Sequence, residues 1–126
     1  MKKIISLLGL GLLLTACALP NYHKACGTYH GVMPAADGPG IDTTLTLNED
    51  GTYKQRLIYI DAKDGTFNEA GTYTYRSGLI ELRGQGNEVA WYRLEDGQVR
   101  RLDMEKRAID GPLAEYYILK QIKYCR

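Results

Sequence analysis

The sequence has few of the side chains on which covalent catalysis depends. It contains two histidines in 126 residues and no Gly-x-Ser-x-Gly motif, so a catalytic triad has little to be built from. Many carboxylates lie in turn-like stretches, such as Glu49-Asp50 and Glu95-Asp96, where solvated acidic residues are common. These absences predict that the protein is not an enzyme.

An excess of basic residues is also missing. Without Lys2 and Lys3, 14 of the 16 basic residues remain against 15 acidic ones. The sequence therefore lacks the basic patch that nucleic-acid binding requires. We interpret the basic pair Arg100-Arg101 as charges that keep a strand edge soluble.

The N-terminus resembles a targeting signal. Lys2 and Lys3 precede an apolar run over residues 4–14, which is too short to cross about 30 Å of hydrocarbon. No second long apolar run follows. The run ends in Leu-Thr-Ala-Cys, which resembles the signal of bacterial lipoproteins, in which cleavage leaves an acylated cysteine as the new N-terminus.

This resemblance implies a signal peptide over residues 1–16, an acylated N-terminus and tether over residues 17–25, and a folded domain over residues 26–126. Acyl chains on Cys17 would anchor the protein to a membrane. The alternative is an ordinary signal peptide cut near Ala16 or Ala18. Because no aspartate follows the cysteine, we expect the outer membrane, with the domain facing the periplasm.

Two further cysteines, Cys26 and Cys125, lie near the two ends of the predicted domain. In an oxidising compartment such an isolated pair predicts a disulfide. The bridge would require the first and last strands to be neighbours, so that the sheet closes on itself. The alternative is a pair of free thiols that serve as a metal or redox site.

The rest of the chain is patterned as short strands. Apolar or β-branched residues alternate with polar ones from Ile41 to Asn48, a period of two that is typical of strands. Turn signals separate about eight such segments, so we predict an all-β fold: a small antiparallel up-and-down (meander) β-barrel, lipocalin-like. After a first strand that follows Cys26, the predicted strands are 41–48, 52–60, 66–76, 79–83, 88–94, 98–103 and 113–122.

Tyrosine dominates the aromatic residues, with ten against one phenylalanine and one tryptophan. A tyrosine can bury its ring while its hydroxyl keeps a partner. We therefore expect Tyr73, Tyr75, Tyr92 and Tyr117 to fill the core or line the barrel mouths. The alternative is a cavity that binds a small apolar ligand, as in a lipocalin.

One connection is unusually rigid, because two prolines and two glycines fix its backbone. Its residues are Pro34, Ala35, Ala36, Asp37, Gly38, Pro39 and Gly40. The stretch GTYHGVMPAADGPGIDTTLTLNEDGTY, residues 27–53, resembles the N-terminal domain of the NlpE family of outer-membrane lipoproteins. That resemblance implies a barrel, an acyl anchor and a role in copper resistance or envelope stress. We expect the protein to act through contacts of this loop with an envelope protein.

The chain departs from the family pattern at the two positions where the family carries reactive side chains. Ala35 and Gly38 stand where the family has a C-x-x-C pair, which would offer thiolates to Cu(I) or a redox-active dithiol. No cofactor is therefore predicted. Copper binding by other ligands is the alternative, with His30 and Met33 as weak candidates, since side chains three apart on a strand face opposite ways.

Overall fold

Short turns and alternating side chains build an antiparallel β-barrel in the computed structural model, which describes residues 22–125. Eight strands pair in chain order and close on themselves, which confirms the predicted meander barrel. They are β1 (Gly27–Met33), β2 (Ile41–Leu47), β3 (Thr52–Tyr59), β4 (Thr66–Arg76), β5 (Leu79–Arg83), β6 (Val89–Glu95), β7 (Gln98–Arg101) and β8 (Ile118–Tyr124). A short helix, α1 (Tyr22–Ala25), precedes β1, and 3-10 turns span Gln85–Asn87 and Ala114–Tyr117.

The two ends of the domain meet, as the cysteines predicted. Strands β1 and β8 pair antiparallel from Gly27 opposite Tyr124 to His30 opposite Lys120. Beside this pairing Cys26 and Cys125 form a disulfide, with Cα atoms 5.8 Å apart. The predicted bridge is confirmed, and the signal peptide and Cys17 lie outside the described residues.

The barrel has two unlike ends. The end that we call the closed end carries α1, Cys125 and the turns 48–51, 77–78 and 96–97. The end that we call the open end carries the rigid loop 34–40, the turns 60–65 and 84–88, and the long connection 102–117.

Tyrosines and aliphatic residues fill the interior. Tyr29, Tyr73 and Tyr92 are fully buried, while Tyr75 and Tyr117 pack against the same core from its margin. The predicted role of the tyrosines is thereby confirmed. Their fully buried aliphatic neighbours are Leu45, Leu47, Ile80, Leu82, Val99 and Leu119.

Helix α1 covers the closed end, which corrects the expectation of a tether up to residue 25. Ala25 is completely buried, and its carbonyl accepts a 2.7 Å hydrogen bond from the Tyr29 hydroxyl. The Tyr22 ring meets the Tyr73 ring edge to face, with centroids 5.1 Å apart. The apolar faces of Tyr22 and Ala25 favour packing over exposure, so residues 22–25 belong to the folded domain.

Strand β4 leaves a gap in the barrel wall. Its residues 66–72 pair with β3, whereas pairing with β5 begins only at Thr72 and runs to Arg76. Gly71 sits at this change of partner, where any Cβ atom would collide with the Arg83 carbonyl. The first half of β4 therefore projects past the end of β5 at the open end.

Two strand predictions at the end of the chain were partly wrong. The segment 113–122 begins as a 3-10 turn, and β8 runs instead over Ile118–Tyr124. Strand β7 pairs with β6 on one side and, from Gln98 to Arg100, with β8 on the other, so Arg100 does not mark a free strand edge. Among residues 22–125, no helix has the length and apolar composition needed to cross a bilayer.

Candidate functional site

The rigid loop 34–40 lies at the open end, between β1 and β2. Gly38 (φ +104°) and Gly40 (φ +153°) adopt backbone angles that residues with a Cβ disfavour. The Gly40 carbonyl accepts a 3.0 Å hydrogen bond from the Ile60 amide, which ties the loop to the end of the β3 segment. The loop is thus held in one shape although residues 36–39 are exposed.

Apolar side chains surround this loop on the outside of the barrel. Val32, Leu113 and Tyr116 are 42%, 49% and 58% exposed. Together with loop residues they line a groove of about 470 Å³, which we call the loop groove. Exposed apolar side chains gathered at one place are typical of contact surfaces.

The structure does not bring the two weak copper candidates together. His30 points outward, and its Nε2 lies 2.7 Å from an Asp42 carboxylate oxygen. Met33 is 7% exposed and belongs to the core. The two side chains lie on opposite faces of β1, so they do not form a common metal site.

A second group of metal-ligating side chains lies at the closed end and includes Cys26, one of the two cysteines of the free-thiol alternative. Ligand atoms of His23, Cys26 and Glu49 lie within 4.8 Å of one another, and His23 pairs with Glu49 at 3.4 Å. The Cys26 sulfur is bonded to Cys125, and a metal needs a thiolate. The free-thiol alternative is therefore not the state that the structure shows.

A cavity of about 300 Å³ opens inside the barrel at the open end; we call it the mouth cavity. Its volume lies at the lower end of small-molecule sites, which are about 300–1,000 Å³. Its charged side chains are Glu69, Glu88 and Arg101. The wall also carries Thr43, Tyr53, Gln55, Met33, Ile41, Leu57, Leu82 and Val89.

Charged groups make this cavity unlike the apolar pocket of the lipocalin alternative. Below it the tyrosine and aliphatic core fills the barrel. A shallower depression of about 770 Å³ shares Tyr53, Gln55, Glu69 and Glu88 with it. The mouth cavity therefore also opens sideways, through the gap that β4 leaves beside β5.

Two polar side chains, Arg101 and Gln55, line the inner part of the mouth cavity, and Tyr92 lies next to them without lining it. The Arg101 guanidinium lies 5.5 Å from the centre of the Tyr92 ring. Burial raises the pKa of Tyr92, and Arg101 and Gln55 are the neighbours of its hydroxyl that oppose this rise. Among residues 22–125, the Tyr92 hydroxyl is the one buried side-chain oxygen or nitrogen without a hydrogen-bond partner.

At the closed end, two buried tyrosine hydroxyls donate hydrogen bonds to backbone carbonyls. Burial raises the pKa of Tyr29 to about 12, and its hydroxyl donates to Ala25. Burial also raises the pKa of Tyr73, whose hydroxyl donates to the Asn48 carbonyl at 2.7 Å. These phenols stay protonated and serve as donors.

A polar cluster holds the β6–β7 turn at the same end. The Glu95 carboxylate accepts hydrogen bonds from Arg100 at 2.9 Å, Gln98 at 2.7 Å and Arg93 at 3.0 Å. The bond from Arg100 is the largest of the effects that lower the pKa of Glu95 to about 2. This cluster is structural, because it lies away from both the loop groove and the mouth cavity.

Comparison with solved structures places this barrel among bacterial lipoproteins. A crystal structure of a protein classed as a lipoprotein from Shewanella oneidensis superposes with a TM-score of 0.68 at 34% identity, covering 79% of this chain and 94% of that one. The crystal structure of NlpE from Escherichia coli, described as the Cpx pathway activator, gives a TM-score of 0.62 at 29% identity, covering 68% of this chain and 46% of that one.

Sequence comparison gives the family. The pattern of the NlpE N-terminal domain matches residues 29–112, and the chain belongs to that family. Lipoprotein NlpE of Escherichia coli is 31% identical over 86 residues, which are 67% of this chain and 36% of that protein. The 17 kDa lipoprotein of Treponema pallidum is 31% identical over 119 residues, 85% of this chain and 73% of that protein.

The chain therefore spans about a third of the Escherichia coli relative's length. Since these relatives are lipoproteins, they indicate a membrane-anchored envelope protein. Periodicity alone does not reveal the mouth cavity, since it leaves open which of Arg100 and Arg101 turns inward. An arginine at an inward-facing position of a strand was the one available signal.

Proposed function

We propose that the protein is a non-enzymatic lipoprotein of the outer membrane that acts in envelope homeostasis or stress signalling through protein contacts. The loop 34–40 and the loop groove would form the contact surface. The observation that carries this proposal is the exposed apolar cluster of Val32, Leu113 and Tyr116 beside a rigid loop. The Escherichia coli relative described as the Cpx pathway activator supports a signalling role.

The position of the predicted anchor supports the same surface. Cys17 precedes Tyr22 by five residues, which span at most about 18 Å when extended. Because α1 lies at the closed end, an acylated Cys17 would hold that end near the membrane. The loop groove would then face away from the membrane, where a periplasmic protein segment can reach it.

The partner we expect presents an apolar side chain to the groove. Loop residues 36–39 and the three exposed apolar residues offer little charge, so the contact would depend on apolar burial, worth about 25 cal/mol per Å². A groove of about 470 Å³ fits one or two side chains of a partner segment.

Photocrosslinking in cells tests the contact surface. A photoreactive amino acid replaces Ala36 in the loop, and the matched control replaces Ala70, which is also an exposed alanine but lies on β4. We expect a discrete crosslinked protein from position 36 only. Equal products from both positions, or none from position 36, would contradict the proposal.

A signalling readout completes the test. The double change L113S/Y116S should lower an envelope-stress reporter response to overexpression at unchanged protein level. Fatty-acid labelling of the wild type and of C17S tests the anchor, with label expected only when Cys17 is present. An unchanged reporter response in L113S/Y116S would remove the loop groove from the function.

A further inference from the structure

The mouth cavity is lined by a charged side chain, Arg101, that has no ion-pair partner among the described residues. Six ion pairs occur among residues 22–125, and none includes Arg101. A half-buried charge without a counter-charge costs stability, so Arg101 on the wall of an open cavity indicates a site for an anionic group.

Charge is distributed unevenly over the cavity wall. Arg101 and Gln55 both neighbour Tyr92 and give the inner part hydrogen-bond donors and a positive charge. Glu69 and Glu88 are exposed carboxylates and lie on the side of the gap beside β5. These three residues are all the charged side chains that line the cavity.

Apolar residues connect the two charged regions. Met33, Ile41, Leu57, Leu82 and Val89 line the same cavity, and Leu82 is fully buried. A methylene chain would contact these side chains well, whereas a wholly polar ligand would leave them without contacts.

We infer that the mouth cavity binds a small zwitterion: a carboxylate held by Arg101 and Gln55, an apolar spacer, and an ammonium group near Glu69 and Glu88. Arginine is suited to a carboxylate because its guanidinium presents paired donors. Amino acids with long side chains, ω-amino acids and short peptides are the ligand class. This inference does not depend on the loop groove or its partner.

Methyl NMR of the full-length lipoprotein in phospholipid nanodiscs tests it. The probe is 6-aminohexanoate, and hexanoate and hexylamine are the matched single-charge controls. The methyl groups of Met33, Leu57 and Leu82 report on the cavity. Those of Leu47 and Ile80, buried outside its wall, report on the fold.

We expect saturable shifts at the cavity methyls and tighter binding of 6-aminohexanoate than of either control, by about threefold or more. R101M should weaken binding by at least about tenfold, since a charge-assisted hydrogen bond is lost. The double change E69Q/E88Q should abolish the advantage over hexanoate. R76Q, a change at an exposed arginine of the closed end, should alter nothing.

Three results would overturn the inference: no saturable shift with 6-aminohexanoate, equal binding of hexanoate, or undiminished binding in R101M. Equal binding of hexanoate would show an anion site without zwitterion selectivity. If the fold reporters show that R101M is misfolded, Q55L and E69Q/E88Q decide. Q55L removes an amide from the cavity wall and should weaken carboxylate binding severalfold, and an unchanged affinity in both variants would refute the assignment.

Discussion

The closed and open ends of the barrel differ in whether their polar side chains have hydrogen-bond or ion-pair partners. At the closed end the hydroxyls of Tyr29 and Tyr73 donate to backbone carbonyls, and the disulfide joins the two ends of the domain. At the open end the Tyr92 hydroxyl has no partner, and Arg101 faces a cavity. The difference separates stability from function: the groups that hold the closed end have partners, whereas Arg101 on the cavity wall has no ion-pair partner within the described part of the chain.

Replacing an aromatic residue by alanine should lower the free energy of unfolding much more at the closed end than at the open end. Y73A removes a fully buried ring, its contact with Tyr22 and its bond to Asn48, so we expect a loss of about 3–5 kcal/mol in the free energy of unfolding. F67A removes a ring that is 53% exposed and should cost about 1 kcal/mol or less. Urea denaturation measures both, and similar losses would contradict the division between the ends.

Removing the disulfide should produce the next largest effect. The double change C26S/C125S frees a loop with a sequence separation of 99 residues, and we expect a loss of about 2–4 kcal/mol. P39A in the exposed loop at the open end should cost less than about 1 kcal/mol. If the serine variant unfolds at the same urea concentration as the wild type, the bridge does not stabilise the closed end.

Acid should weaken the closed end through Glu95. Its pKa falls from 4.5 to about 2 in the folded protein, so its contribution is present above pH 4.5 and is lost as the pH falls towards 2. Because the carboxylate is partly exposed, we expect about 1 kcal/mol. E95Q should lower stability at pH 7 and flatten its pH dependence. E105Q, whose pair with Arg107 is largely exposed, is the control, and equal pH profiles in wild type and E95Q would contradict this assignment.

The smallest expected effect comes from replacing a tyrosine by phenylalanine, which we compare at two positions. Y29F removes a hydroxyl that donates to Ala25 and should cost about 1 kcal/mol. Y92F removes a hydroxyl without a partner, so stability should stay the same or rise by up to about 1 kcal/mol. Thermal unfolding of both variants without added ligand measures the difference in sign. A loss in Y92F equal to that in Y29F would show that Tyr92 already has a partner.

Much of the barrel was predictable because a strand with one buried face has a simple period. The alternation over residues 41–48 placed Thr43, Leu45 and Leu47 inside, where the structure buries them. The cysteine positions predicted closure, since a bridge between Cys26 and Cys125 requires neighbouring end strands.

Other features do not follow from periodicity. In the run Arg100-Arg101 both residues are cations, so alternation cannot tell which one faces the interior until the register of β7 against β6 is known. Residues 22–25 are too short to show a helical period, and Tyr22 reveals its place only through its contact with Tyr73. The mouth cavity depends on several strands at once, which a single stretch of sequence does not encode.

The adjacent chain ends have an architectural consequence. Since Cys26 and Cys125 lie 5.8 Å apart at the closed end, anything joined to either terminus leaves the barrel from the same side. A lipid attached before the domain and a second domain joined after it would both lie beside the closed end. Segments added at either terminus therefore lie at the closed end and leave the open end accessible. The residues of the open end can then vary without affecting the attachment at the closed end.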